Sequence, residues 1–91
     1  MKIINLTVTR GHVVLWLGNG RFIFMEGELT MGQKFYVLGG RDWYWVGKPS
    51  ETFQFLENMN VMGTVSAAEK TQVTAAVAQF NKENEFRILF D

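Results

Sequence analysis

The sequence predicts an α+β domain: an antiparallel β-meander of about five to six strands, one amphipathic C-terminal helix packed on one face, and a final short strand. Three observations predict this class. Apolar runs of strand length alternate with glycine-containing turns over residues 3–46. A helix-capping sequence followed by a helical apolar stripe occurs at 66–80, and one more apolar run closes the chain. Strands that pack one helix on one face make a two-layer domain.

The first half of the chain contains the strongest hairpin signal. Residues 3–9 are rich in β-branched side chains and predict a strand that ends at a turn, Arg10-Gly11. Strands 12–17 and 21–26 flank Gly18-Asn19-Gly20. Asn-Gly between two apolar runs favours a type I′ turn, because both central residues of that turn take positive φ. We therefore predict a hairpin of 12–17 against 21–26.

Two further strands are predicted at 34–38 and 42–46, with turns at 30–32 and 39–40. Pro49 lacks a backbone donor, so the second of these strands should end before it. Residues 53–56, FQFL, fit either a brief strand or one helical turn, and residues 63–64 read as a loop.

The helix has defined ends in the sequence. Ser66 and Glu69 form a capping box, and Asn84 can take the left-handed geometry of a C-cap. One apolar stripe follows the cap at helical spacing: Val73, Ala76, Val77 and Phe80. Residues 86–90 predict the closing strand.

The middle strands carry large apolar side chains on both faces. Trp43 and Trp45 alternate with Tyr44 and Val46, and 12–17 is apolar on both faces. A sheet with one exposed face should alternate between apolar and polar residues. Either the sheet curls around a second small core, or one apolar face is left open for a partner.

Composition bounds the function. The chain has 91 residues, which predicts a single domain over 1–91, with 47% hydrophobic and 20% charged residues. With no cysteine and only one histidine, His12, thiol chemistry and sites that need two imidazoles are excluded. No apolar run is long enough for a membrane span, and no signal peptide is recognisable, so we expect a cytoplasmic protein.

Charge is balanced at nine basic and nine acidic residues, but residues 26–69 hold six acids against three basic residues, a local charge of −3. This acidic middle suits a basic partner better than nucleic acid, which is normally bound by a basic patch. Glu26 and Glu28 lie two apart on one strand face and could form a catalytic carboxylate pair, a contact for a basic partner or a solvated edge. Trp43, Tyr44 and Trp45 could stack on bases, pack in the core or anchor a protein interface.

Five short motifs occur in order along the chain: Thr-Arg-Gly at 9–11, Gly-Glu-Leu at 27–29, Phe-Tyr-Val at 35–37, Asp-Trp at 42–43, and Ser-Ala-Ala-Glu-Lys-Thr-Gln-Val at 66–73. Together with Pro49 they resemble immunity protein family seventy-four of bacterial polymorphic toxin systems, which include contact-dependent growth inhibition. The resemblance covers nearly the whole chain.

This resemblance implies a small cytoplasmic protein that binds and neutralises the C-terminal toxin domain delivered by a sibling cell. Such toxins are commonly nucleases with basic clefts, and an RNase is the expected target. The implied inhibitor is not an enzyme, uses no cofactor or metal, contacts neither nucleic acid nor membrane directly, and acts as a monomer, with a homodimer as the other state considered. Residues expected at the interface are chosen for their chemistry: Glu26, Glu28, Asp42, Trp43, Tyr44 and Trp45.

An alternative function remains open, namely a small β-barrel that binds a ligand or acts as an enzyme through an aromatic pocket. A deep cavity lined by Trp43 or Trp45 with convergent polar groups would favour this alternative.

Overall fold

The computed structural model describes residues 1–49 and 59–91, and these residues form seven strands and one helix. In chain order they are β1 Ile3–Val8, β2 His12–Leu17, β3 Phe22–Thr30, β4 Lys34–Val37, β5 Tyr44–Val46, β6 Val61–Thr64, α1 Ala67–Glu83 and β7 Arg87–Phe90. The predicted α+β class is confirmed, with the single helix packed against the sheet and a final strand after it.

The sheet is organised around β3, which has nine residues. β2 pairs along one edge of β3, and the other edge is shared: β5 lies opposite 22–24 and β4 lies opposite 27–30. The backbone N–H of Leu38 still donates to the Glu26 carbonyl at 3.0 Å, after which the chain leaves β3 and returns at Tyr44. The predicted meander is therefore wrong at this point, because β4 and β5 follow one another along β3 instead of pairing.

The sheet is also mixed rather than wholly antiparallel. β7 pairs with β4 in parallel, and β6 pairs with β5. The parallel pair arises because α1 carries the chain back across the sheet before β7 begins, as a crossover connection requires. Residues 63–64 were predicted as a loop but belong to strand β6, and β5 begins at Tyr44 rather than at residue 42. The predicted segment at 53–56 lies outside the described residues.

The turn between β2 and β3 is not the predicted type I′. Asn19 has negative φ, and only Gly20, at φ 81°, is left-handed. The Gly20 N–H donates to the Leu17 carbonyl at 3.0 Å, and the Leu17 N–H donates to the Arg21 carbonyl at 2.9 Å. This is a three-residue turn with a left-handed glycine at its end. The Asn19 side chain stabilises it by accepting the Arg21 N–H at 3.0 Å.

Helix α1 has the predicted N-terminus and a different C-terminus. Both hydrogen bonds of the capping box between Ser66 and Glu69 are present. Asn84 is extended, at φ −132°, so the predicted left-handed C-cap is wrong. Its side-chain amide instead donates to the Phe80 carbonyl at 2.9 Å, which satisfies one carbonyl of the last turn.

Two cores lie on opposite sides of the sheet. The main core fills the inner face, defined as the face that α1 covers, and it includes Leu15, Ile23, Phe35 and Val77. The second core is formed on the outer face, opposite α1, by Val14, Phe24 and Val46, with Trp16, Phe22, Tyr44 and Met59 partly buried around it. The sequence allowed either a second small core or an open apolar face. The second core covers the outward apolar side chains of β2, of the first part of β3 and of β5.

Candidate functional site

Beyond the second core, the outer face continues over the later part of β3 and over β4 and β7. There it is partly exposed to solvent and carries both charged and apolar side chains. The register places Glu28 beside Tyr36, and Tyr36 beside Leu89, in one row across the three strands. Glu26 lies one row away, opposite His12 and next to Leu38. Tyr36 is 40% exposed and Leu38 is 42% exposed. We call the surface formed by Glu26, Glu28, Tyr36, Leu38 and Leu89 the acidic–aromatic face.

His12 at the border of this face is held in place by its neighbours. Its Nδ1 lies 2.8 Å from the Thr9 hydroxyl, and its ring lies 5.1 Å from that of Phe24. His12 is half-buried. The imidazole therefore helps to join the second core to the acidic–aromatic face.

The six residues expected at an interface are divided by the structure. Glu26, Glu28 and Tyr44 lie on the outer face, and Asp42 is exposed just before β5. Trp43 and Trp45 point the other way into the main core and are only 7% and 6% exposed. Both tryptophans thus contribute little surface, and the structure does not bring the six residues together on one patch.

A cleft lies where the turn before β3 approaches the end of β5. Its volume is about 300 Å³. Apolar groups from Phe22, Trp45, Val46 and Met62 line it, together with Gly20, Arg21, Gly47 and Lys48. Among residues 1–49 and 59–91, its lining contains two cationic side chains and no acidic one. We call this the Arg21–Lys48 cleft.

Trp45 connects the cleft to the start of the helix. The guanidinium carbon of Arg21 lies 3.5 Å from the centroid of the Trp45 ring, in cation–π contact. On its other side the Trp45 indole N–H donates to Glu69 Oε1 at 3.3 Å, and the same oxygen accepts the Ser66 backbone N–H at 2.9 Å.

These contacts set the ionisation of Glu69. Its hydrogen bonds with the backbone and side chain of Ser66, and then with Trp45, lower the pKa of the Glu69 carboxyl below its ordinary value, with a smaller contribution from the nearby Arg21 charge. Glu69 therefore stays ionised while it caps the helix and orients the indole beside the cleft.

A second, smaller cleft of about 220 Å³ lies at the C-terminal end of β7. Trp43 stacks with Phe90 at 5.5 Å between ring centroids, and the Lys70 ammonium lies 5.1 Å from the Trp43 ring. Its lining includes Arg41 and the acidic Asp91, so its charges partly offset each other.

Within residues 1–49 and 59–91, no three His, Asp or Glu side chains are grouped closely enough to hold a metal ion. In the same part of the chain, no helix is long and apolar enough to cross a membrane. Comparison with known protein families, with curated proteins and with solved structures finds no significant match.

Four residues of these surfaces were not singled out from the sequence. Arg21 and Lys48 are separated by 27 positions, and they line the same cleft because β3 pairs with β5. Tyr36 and Leu38 were assigned to a strand, and their exposure follows from the position of β4 far from the second core. Alternation of Phe35 and Val37 with Tyr36 and Leu38 was the one available signal.

Proposed function

We propose that this chain is an immunity protein that binds a bacterial toxin domain stoichiometrically and so neutralises it in the cytoplasm. The observation that carries the proposal is the acidic–aromatic face, where Glu26 and Glu28 lie beside the exposed Tyr36 and Leu38. Aromatic and apolar anchors next to charged groups are typical of protein–protein contacts. The motif resemblance supplies the kind of partner, a toxin C-terminal domain.

The carboxylates of Glu26 and Glu28 support a nuclease as the target, with an RNase as the first enzyme to test; the basic Lys34 and Arg87 lie in a separate row of the outer face. Nucleases present basic clefts to their substrate, and two adjacent carboxylates on a strand complement such a surface. In this proposal the chain blocks the enzyme by occupying its cleft or an adjacent surface, with one copy per toxin domain. It contributes no reaction of its own.

The proposal is tested by expressing the chain with the C-terminal domain of the protein encoded immediately upstream, which the proposal expects to be the toxin. We expect the two to purify together at a ratio of one to one and the chain to restore growth. The variant E26K/E28K should slow association and increase its dependence on salt, because charge at the rim of an interface acts chiefly on the association rate.

A matched reversal, E83K/E85K, changes the same charge at the end of α1, and we expect it to leave association unchanged. Variant Y36A should instead accelerate dissociation, because it removes an anchor. If the neighbouring toxin domain neither binds the chain nor is inhibited by it, the proposal is wrong. Unchanged kinetics in E26K/E28K would remove the acidic–aromatic face from the interface.

A second candidate function, binding of a small ligand, is favoured by the Arg21–Lys48 cleft. Trp45 lines this cleft, and two polar cationic groups converge on it. At about 300 Å³ its volume is at the lower end of the range that holds small ligands.

A further inference from the structure

We infer that the Arg21–Lys48 cleft is a binding site for a small organic anion with a flat apolar body, such as an aromatic phosphate or carboxylate. This inference rests on the second candidate function and is independent of toxin binding. It names the ligand class from the groups that line the cleft.

The charge of the cleft selects an anion. Arg21 and Lys48 line it without an acidic side chain, and neither forms an ion pair within residues 1–49 and 59–91. The charge of Arg21 acts on Glu69, whose carboxylate already accepts hydrogen bonds from Ser66 and Trp45. The two cations therefore have donors available for an incoming anion.

The position of Arg21 suits a planar anionic group. Its guanidinium carbon lies over the Trp45 ring, 3.5 Å from the centroid, and this contact limits the positions that the guanidinium can take. A guanidinium held in this way presents paired donors that match the two oxygens of a carboxylate or phosphate. Lys48, two residues after the end of β5, adds a second positive charge to the cleft.

The apolar lining selects the body of the ligand. Phe22, Val46 and Met62 line the same space, and Met62 is 69% exposed at an irregularity of the β5–β6 pairing. A methionine side chain is flexible and polarisable, so it can close over an aromatic ring. An inorganic anion alone would leave these apolar groups in water, whereas an aromatic anion covers them.

The experiment is a titration of the 15N-labelled chain followed by two-dimensional NMR, with phenyl phosphate, benzoate, inorganic phosphate and phenol as separate ligands. We expect phenyl phosphate and benzoate to shift the Trp45 indole signal and the Arg21 and Gly47 amides in a saturable way. Inorganic phosphate should bind more weakly, and phenol should cause no saturable shift. Comparison of phenyl phosphate with benzoate distinguishes the two anionic groups.

Variants R21Q and K48Q should each weaken phenyl phosphate binding about tenfold or more, since each removes charge-assisted hydrogen bonds. Variant R21K keeps the charge but loses the planar pair of donors, and we expect it to bind more weakly than the unchanged chain. The control K82Q removes a cation from the last turn of α1, away from the cleft, and should bind as the unchanged chain does.

The inference is overturned if no ligand causes saturable shifts at millimolar concentration, if the shifts centre on residues outside the cleft, or if K82Q weakens binding as much as R21Q. Each result concerns the isolated chain and a small molecule. It therefore leaves the test of toxin neutralisation, which uses the toxin domain, unaffected.

Discussion

Gly27 is the first residue of the part of β3 that pairs with β4, and it follows the part that pairs with β5. A Cβ at this position would collide with the Tyr36 carbonyl oxygen and with the ring of Phe35. The predicted strand ended at residue 26, but β3 continues through Gly27 to Thr30. Glycine is required here because the β4 backbone and a core ring approach closely.

Replacement of Gly27 by alanine should destabilise the fold by about 1–3 kcal/mol, since the added methyl group overpacks a rigid backbone contact. The measurement is urea unfolding followed by tryptophan fluorescence. Gly11→Ala is the matched control, because its added Cβ would meet nothing within 4 Å and its φ is not in the left-handed region. A loss for Gly27→Ala no larger than for Gly11→Ala would contradict this account.

At the scale of elements, α1 is joined to the sheet by side chains at both of its ends. Near its C-terminus the Asn81 amide donates to the Ile88 carbonyl at 2.7 Å and accepts the Ile88 N–H at 2.8 Å. The helix thus supplies both hydrogen bonds that a neighbouring strand would give β7 at this residue. Such pairing protects a strand at the edge of a sheet.

At its N-terminus, α1 is joined to the sheet through Glu69, which bonds both Ser66 and Trp45. Since the pKa of Glu69 is lowered in the folded chain, its ionised form stabilises the fold. This contribution is present above the pKa of the unfolded chain and is lost as pH falls through the lower pKa of the folded one.

We therefore expect Glu69→Ala to reduce the free energy of unfolding most at neutral pH, and the difference from the unchanged chain to narrow as pH falls below the ordinary value of 4.5. Urea unfolding across pH 3–7 measures it. The control Glu85→Ala removes an exposed carboxylate beyond the helix and should change stability little at pH 7. An equal loss at every pH for Glu69→Ala would show that its charge has no part in the effect.

Across the whole molecule, one sheet has a core on each face and an exposed remainder on the outer side. Phe24 is fully buried in the second core, whereas Tyr36 on the same face is 40% exposed. The outer face is therefore buried around Phe24 and exposed to solvent around Tyr36. Only the surface part is free for the interface that we propose.

This division predicts different costs for removing two aromatic rings from one face. Phe24→Ala should destabilise the fold by about 3–5 kcal/mol, because it leaves a cavity in a packed core. Tyr36→Ala should cost about 0.5 kcal/mol or less, as is usual for exposed positions. Calorimetric unfolding of both variants tests this. A small loss for Phe24→Ala would mean that the second core contributes little to stability.

Features of the fold that depend on residues close together in the chain could be predicted from the sequence better than features that depend on distant residues. The capping box of Ser66 and the stripe Val73–Phe80 are local, so their sequence spacing was sufficient to place α1. The second core was foreseen as one of two outcomes, because apolar residues on both faces of a strand require cover on both. Turn geometry at Asn19 was mispredicted, since its side chain accepts a backbone N–H in place of the left-handed conformation.

The sequence by itself determined the class of the fold, the helix with its cap, and the excess of apolar strand surface, because these depend on residues close together in the chain. Only the tertiary structure decided that Trp43 and Trp45 are interior, that Tyr36 and Leu38 are exposed beside Glu28, and that Arg21 meets Lys48 in a cleft. The physical reason is that β3 shares one edge between β4 and β5, and a pairing between distant strands leaves no periodic signal in either strand.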